Sequence, residues 1–269
     1  MQNALISFPL FGTGFVFDIP RSFSVFGFRI YFYGLLLGLG LLAGAIYAMR
    51  RAPQFGLTQD NVLDYLLFAV PSAVVFSRLY YVAFRWDIYG QAPLRIITGI
   101  RTGGLTIYGV LFGAVLGVWI CSRVKKLDFW SFVDLGGLGL LIGQAIGRWG
   151  NFVNRELYGR PTNMPWRMGL TVGDVTRYVH PTFLYESLWN LLGLILLHNY
   201  SKRGGRKYKG QLFVFYLGWY GLGRTWVEFL RDPAQNMHLG PIPINMAIAL
   251  ACFVGAVAVN AVVVRKKSV

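Results

Sequence analysis

Charge is what this chain of 269 residues has least of. Asp, Glu, Lys and Arg make up 14% of it and 55% is hydrophobic, with a mean hydropathy of +0.49; a soluble domain carries about a quarter charged residues. That deficit excludes a surface wetted on all sides and makes a lipid bilayer the natural solvent. Acidic residues are scarcer still, 11 against 26 basic, for a net charge of +15. In a membrane chain such an excess marks loops facing anionic headgroups rather than a nucleic-acid site. With 3 histidines and 2 cysteines, no cluster at ligand spacing can be drawn, so no metal and no other cofactor is expected. Cys121 and Cys252 both lie in apolar runs, which excludes a disulfide framework. Long low-complexity linkers and internal repeats are also missing, so residues 1–269 read as a single membrane domain. A charged leader is missing as well. Asp18, Pro20 and Arg21 interrupt the first apolar stretch, and the first span is expected to be retained.

What is present is a series of apolar runs. About 20 residues cross a hydrocarbon core of about 30 Å, and seven runs of that kind are candidates: 28–49, 61–84, 104–122, 132–146, 183–200, 211–230 and 243–264. The fourth is short and Gly-rich, so it can continue into the polar segment after it. The expected fold is all-α, a polytopic membrane protein of about seven helices. Between the second and third spans, residues 85–101 mix Trp86, Tyr89, Leu94, Ile96 and Ile97 with Arg and Gly, the composition of an interfacial segment. The stretch from Arg148 to Pro181, with turn formers Pro161, Pro165, Gly169 and Gly173, is expected to form a small extracytoplasmic cap between helices 4 and 5.

Positive residues near span ends set the orientation. With seven spans, one side collects Arg50 and Arg51, then Arg123, Lys125 and Lys126, then Lys202, Arg203, Arg206, Lys207 and Lys209, and finally Arg265, Lys266 and Lys267. This side is assigned to the cytoplasm, with the N-terminus outside and the C-terminus inside. All 7 lysines lie there, while 11 arginines and no lysine lie at or near the opposite side. A compact ammonium suits diffuse attraction to anionic lipid. A planar guanidinium fork suits specific recognition of phosphate or carboxylate, so the outer face carries the features of a binding site.

An ionisable residue inside a span costs about 2.5–3.5 kcal/mol on insertion scales and is a functional candidate by default. Tyr220, Arg224 and Glu228 recur every four residues in the sixth span, with Arg231 near the same stripe; Arg224 and Glu228 can pair, for structure or for function. The run GRWGNFVNRELYG, from Gly147 to Gly159, places Arg148 and Asn151 one turn apart, followed by Asn154 and Glu156. A polar helix end bracketed by glycines exposes backbone to a cavity rather than to lipid, as in a channel lining or the broken helix of a transporter. His180, Tyr185 and Glu186 open the fifth span, where a histidine can also be a simple cap. Tyr33 in the first span and Gly103, Gly104 and Tyr108 around the third complete the set, although an aromatic in a span is ordinarily core. Asp134 and Arg78 are read as packing partners.

GRWGNFVNRELYG matches every fixed position of G-R-x-G-N-F-x-N-x-E-x-x-G, and so closely resembles the signature of the bacterial prolipoprotein diacylglyceryl transferase family. Four further segments resemble the family in its order: Tyr33-Gly34, GGLTIYG from Gly103, HPTFLYE from His180, and YGLGRTWVEFLR from Tyr220 to Arg231. The resemblance implies a seven-span enzyme of the bacterial cytoplasmic membrane. Such an enzyme moves the diacylglyceryl group of phosphatidylglycerol onto the lipobox cysteine of a preprolipoprotein signal peptide, releasing glycerol 1-phosphate. It further implies functional roles for Tyr33, Arg148, Asn151, Glu156, Gly159, Tyr220, Arg224 and Glu228, with phosphatidylglycerol held by Arg148, Asn151, Asn154, Gly159, Tyr220 and Arg224. Many members have a histidine where this chain has Tyr108, and a phenol of reference pKa about 10 is a poor base at neutral pH. His180, Tyr185, Glu186, Gly103, Gly104 and Arg231 are expected to support the site. A transporter or flippase for an anionic lipid is the alternative reading; it would also use arginines at mid-membrane, but would predict inverted repeats.

Overall fold

The apolar runs become helices wherever glycine and small residues let them pack and a polar residue stops them. The computed structural model describes residues 4–12, 14–91, 93–98, 104, 106–235, 238–239 and 242–267. In chain order the elements are β1 (Leu5–Ser7), β2 (Val16–Phe17), β3 (Ser22–Val25), β4 (Phe28–Tyr31), α1 (Phe32–Arg51), α2 (Gln59–Phe84), α3 (Trp86–Tyr89), α4 (Arg95–Thr98), α5 (Ile107–Lys125), α6 (Phe129–Asn154), β5 (Met168–Val172), β6 (Val175–Val179), α7 (Thr182–Lys202), α8 (Gln211–Leu230), β7 (His238–Leu239), β8 (Ile242–Pro243) and α9 (Ile244–Lys267). Five segments, namely Phe32–Phe55, α2, α5, α6 and Ile244–Lys266, are helical, long and apolar enough to cross a membrane. Helices α7 and α8 have the length, 21 and 20 residues, but carry Glu186 and Asn190 in one and Arg224 and Glu228 in the other.

The chain divides into two compact units, one of Ala48–Val133 and one of Met1–Tyr47 with Asp134–Val269. In the first, α5 lies on α2 through Gly109, Gly113 and Gly117, four residues apart. A Cβ at Gly109 would come 2.5 Å from the Phe76 carbonyl oxygen and one at Gly117 would come 2.6 Å from that of Phe68; this is the small-residue packing that membrane helices use in place of a hydrophobic drive. Thr58 and Asn61 form a capping box at the start of α2, and Thr106 caps α5. Arg78, buried in α2, donates to the carbonyls of Ile96 (2.9 Å), Arg95 (2.8 Å) and Gly104 (3.3 Å). It thereby pins the short helix α4 and the entry to α5.

The larger unit departs from the all-α expectation. Its non-helical residues form a four-stranded antiparallel sheet, β2-β1-β5-β6, with Ile6 opposite Leu170 and Leu170 opposite Arg177. The segment after α6, where a cap was expected, therefore shares a sheet with the N-terminal strands. Ala4, Ile6, Met168, Leu170, Val179 and Phe183 make its buried core. Strands of two to five residues, contributed by segments far apart in sequence, leave no helical or alternating run long enough to read. The first span also begins later than expected. Residues 28–31 are a strand of the β3-β4 hairpin, turned by Phe26 (φ 49°) and Gly27 (φ 81°), a pair of positive φ values that suits two-residue hairpin turns.

The fourth span continues into the polar segment, as its short Gly-rich run allowed: helix α6 runs for 26 residues through Gly147 and Gly150, so Arg148, Asn151 and Asn154 stand on its last two turns. The chain unwinds only at Arg155 (φ 53°) and Leu157 (φ 54°). The buried Arg155 guanidinium holds this corner, donating to the carbonyls of Ala4 (2.9 Å), Ile19 (2.7 Å) and Val153 (2.7 Å). Glycine serves a different purpose in α6. A Cβ at Gly40 would sit 3.0 Å from the Gly143 oxygen and one at Gly44 2.8 Å from the Gly139 oxygen, whereas Gly34 and Gly38 have open space beside them. Asp134 and Arg78 have separate partners: Asp134 accepts from Arg206 Nε (2.8 Å) and from the amides of Gly210 (2.7 Å) and Phe213 (2.9 Å), tying the basic loop to the start of α8.

Candidate functional site

The buried carboxylate of Glu186, one turn into α7, is where the polar residues of three helices meet. Arg148 from α6 reaches its Oε2 through Nη2 at 2.5 Å, and Arg224 from α8 reaches the same oxygen through Nη1 at 3.3 Å. Arg231, the residue after α8, donates from Nη2 to Oε1 at 2.8 Å. A second carboxylate, Glu228, pairs through Oε2 with Arg224 Nη2 at 2.9 Å and with Arg231 Nη1 at 3.4 Å. The Arg224–Glu228 pair expected from spacing is thus formed, within a larger network. Three guanidinium groups (+3) and two carboxylates (−2) leave one positive charge. Exposure divides the arginines: the side chains of Arg148 and Arg224 are 19% and 10% exposed, that of Arg231 only 2%. Burial is the main influence lowering the Arg231 pKa, followed by repulsion from Arg224, while Glu186 and Glu228 oppose the shift.

A chain of amides extends the network along α6. Asn151 Oδ1 lies 3.4 Å from Arg148 Nη1, and its Nδ2 donates to Glu156 Oε1 at 2.9 Å. Asn154 donates to the same oxygen at 3.3 Å. Glu156 is exposed and has amide partners but no ion pair among the described residues. Tyr33 of α1 lies flat against Gly150, where a Cβ would come 2.5 Å from Tyr33 Cδ2; the absence of a side chain at 150 brings the phenol beside the Arg148–Asn151 turn. Tyr220, one turn before Arg224, stacks on Tyr216 with ring centroids 6.3 Å apart.

Other expected site residues have positions that suit support. Gly159 crosses two other segments: its N–H donates to the His180 carbonyl at 2.9 Å, and a Cβ there would meet His180 Cβ at 2.5 Å and the Leu230 oxygen at 2.9 Å. Trp166 Nε1 donates to the Tyr185 hydroxyl (2.7 Å), which lies 3.2 Å from His180 Nδ1. Burial holds the His180 imidazole below its usual pKa, which favours its neutral form. Tyr108 and Gly104 belong to the other unit. There Gly104 has φ +77° and would, with a Cβ, press on Arg78 and Tyr81; Tyr108 is 49% exposed, its ring 6.1 Å from that of Tyr80. Gly103 lies outside the described residues. Sequence reading gave Glu186 only a supporting place. Its segment HPTFLYE was visible, but the three arginines that meet it come from residues 38 or more positions away or from the end of another helix.

Comparison with known proteins places these features in a family context. A family model described as prolipoprotein diacylglyceryl transferase matches residues 20–263. A phosphatidylglycerol--prolipoprotein diacylglyceryl transferase of Bacillus cytotoxicus is 41% identical over 249 residues, covering 90% of each chain. Proteins of the same name from Halalkalibacterium halodurans (40% over 231 residues, 82% of this chain and 78% of the relative) and Bacillus cereus (41% over 248 residues, 89% of each) are similarly close.

Proposed function

This chain belongs to the prolipoprotein diacylglyceryl transferase family, and on that premise we propose that it transfers the diacylglyceryl group of phosphatidylglycerol to the lipobox cysteine of preprolipoproteins. The enzyme is a transferase. A sulfur–carbon bond forms at the glyceryl carbon that bears the phosphate, the carbon–oxygen bond breaks, and glycerol 1-phosphate departs carrying the added negative charge. The observation that carries this reading is the convergence of Arg148 and Arg224, both partly open, on one buried carboxylate. Fixed cations aimed where charge develops form the largest catalytic contribution in many enzymes. Asn151, Asn154, Tyr220 and the turn held by Gly159 complete the headgroup contacts, with Tyr33 beside them.

The carboxylates divide the remaining work. Glu228 has its charge taken up by Arg224 and Arg231, whereas Glu156 is exposed and, among the described residues, is bonded to amides without an ion pair. Glu156 is therefore the acceptor of the thiol proton in this reading, and Tyr108 contributes a hydrogen bond to substrate. The attacking thiolate starts from a pKa of about 8.5, which a cationic site lowers. In this reading α1, α2, α5, α6, α7, α8 and α9 each span the bacterial cytoplasmic membrane, the N-terminus, the sheet and the arginine cluster lie towards the outer face, and the lysine clusters lie inside. The whole chain works as one membrane-embedded transferase.

The test incubates purified protein with phosphatidylglycerol and a lipobox peptide and follows thioether formation and glycerol phosphate release by mass spectrometry. Arg148→Ala and Arg224→Ala are each expected to lower turnover about 10²–10³-fold, the loss typical of one removed oxyanion donor, and Glu156→Gln to lower it about 10²–10⁴-fold, the contribution of a positioned base, with the remaining rate rising with pH as the thiol ionises. Full turnover in the arginine double variant would overturn the phosphate role.

A further inference from the structure

Glu186 is more than a neighbour of the site. Its two carboxylate oxygens are shared out among the arginines: Oε1 takes Arg231 at 2.8 Å, Oε2 takes Arg148 at 2.5 Å, and Arg224 lies astride both at 3.4 and 3.3 Å. It sits on α7, while Arg148 is on α6 and Arg224 on α8. Among the described ion pairs, Glu186 is the one carboxylate that touches both partly open arginines, and the only one that Arg148 has. Arg224 has Glu228 as a second anchor.

From this geometry we propose that Glu186 is a positioning residue that makes Arg148 and Arg224 act as a single anion-binding unit. It rests on the reading above that both arginines meet the phosphate of the lipid. The physical reason is the low dielectric of the site. Two guanidinium groups brought to one point repel each other unless a charge lies between them, and a buried carboxylate with all its lone pairs engaged holds both forks at a set distance. Removal of either arginine then also displaces the other, because the carboxylate re-forms its bonds with those that remain. Arg231, closed off from solvent, tethers the far oxygen of the same carboxylate, so that it turns within the cluster rather than leaving it.

Coupling of this kind is measured by a double-mutant cycle repeated in two backgrounds. Arg148→Lys and Arg224→Lys keep the charge and lose the fork; kcat and KM for phosphatidylglycerol are measured for each, for the pair, and for all of these in Glu186→Gln. With Glu186 present, each single variant is expected to lose about 30–100-fold in kcat/KM and the pair scarcely more than the worse single, the non-additivity of residues that act as a unit. Glu186→Gln alone is expected to lose about 30-fold, chiefly in kcat, and within that background the two lysine changes multiply. Glu186→Asp, which keeps the charge on a shorter stem, recovers part of the rate, and thermal unfolding in detergent selects the variants that remain folded. Full activity in Glu186→Gln, or multiplication of the two lysine effects in both backgrounds, overturns the coupling. Full activity in both lysine singles and in their alanine counterparts instead overturns the phosphate reading on which it rests.

Discussion

Gly159 has room for a hydrogen and nothing larger. Its main chain passes between His180 and Leu230 with N–H to carbonyl bonds on both sides: Gly159 to His180 at 2.9 Å and Arg160 to Leu230 at 2.8 Å. A methyl group at 2.5 Å from His180 Cβ cannot be relieved by rotating a side chain, since the neighbours are backbone and a Cβ. Gly159→Ala is therefore expected to cost about 1–3 kcal/mol, the range of overpacked interiors, read as a lower thermal midpoint in detergent; activity falls with it because the crossing holds the starts of α7 and the end of α8. Tyr108 makes the opposite case. It is half exposed on α5, and its described contact is the ring of Tyr80. Tyr108→Phe is expected to lower kcat/KM about 5–10-fold, the worth of one neutral hydrogen bond of about 1 kcal/mol, with unchanged thermal stability. An unchanged rate would remove the hydroxyl from the reaction.

Among the helices, α7 and α8 are joined by a reciprocal lock. Trp189 and Trp219 stack with centroids 4.2 Å apart and an interplanar angle of 13°, and each indole N–H donates to the other's backbone carbonyl, at 3.0 and 2.9 Å. Each indole also lies over a glycine of the facing helix, Trp189 on Gly223 and Trp219 on Gly193. A polar N–H satisfied in this way can sit in the apolar interior without penalty. The lock sets the distance between Glu186 on one helix and Arg224 and Glu228 on the other. Gly193→Leu and Gly223→Leu are each expected to separate the helices and lower both thermal midpoint and turnover. The same change at Gly34, which has open space beside it, is expected to leave the thermal midpoint unchanged. Equal tolerance at all three positions would mean that the stack does not hold the helices. The glycines at Gly40 and Gly44 against Gly143 and Gly139 act in the same manner between α1 and α6, bringing Tyr33 to Gly150.

For the whole molecule, the proposed orientation makes a simple prediction. With Cys121 and Cys252 replaced by Ala, a cysteine introduced at Lys207 is expected to resist a membrane-impermeant maleimide in intact cells, and one at Val175, 72% exposed at the start of β6, to react. The reverse pattern would invert the topology and move the site to the cytoplasm. Helices were readable because apolar length is a local property, and those at residues 61–84, 104–122, 183–200, 211–230 and 243–264 differ from the expected bounds mainly at their ends. The sheet was not readable. Its strands come from the N-terminal residues and from the segment between α6 and α7, and β1 pairing with β5 joins residues more than 160 positions apart.

Composition and order alone determined that this chain enters a membrane, which residues are too costly to sit there idly, and which motif they form; each of these depends on nearest neighbours and on counting. Only the tertiary structure decided that Glu186, and not Glu156, is the carboxylate around which the arginines assemble. It also decided that Gly159 is a crossing of three segments, and that the motif's asparagines stand on helix. The reason is that a charge inside a membrane is defined by its partner. For Arg148 that partner is 38 residues away on another helix, held 2.5 Å from it by packing that no local pattern encodes.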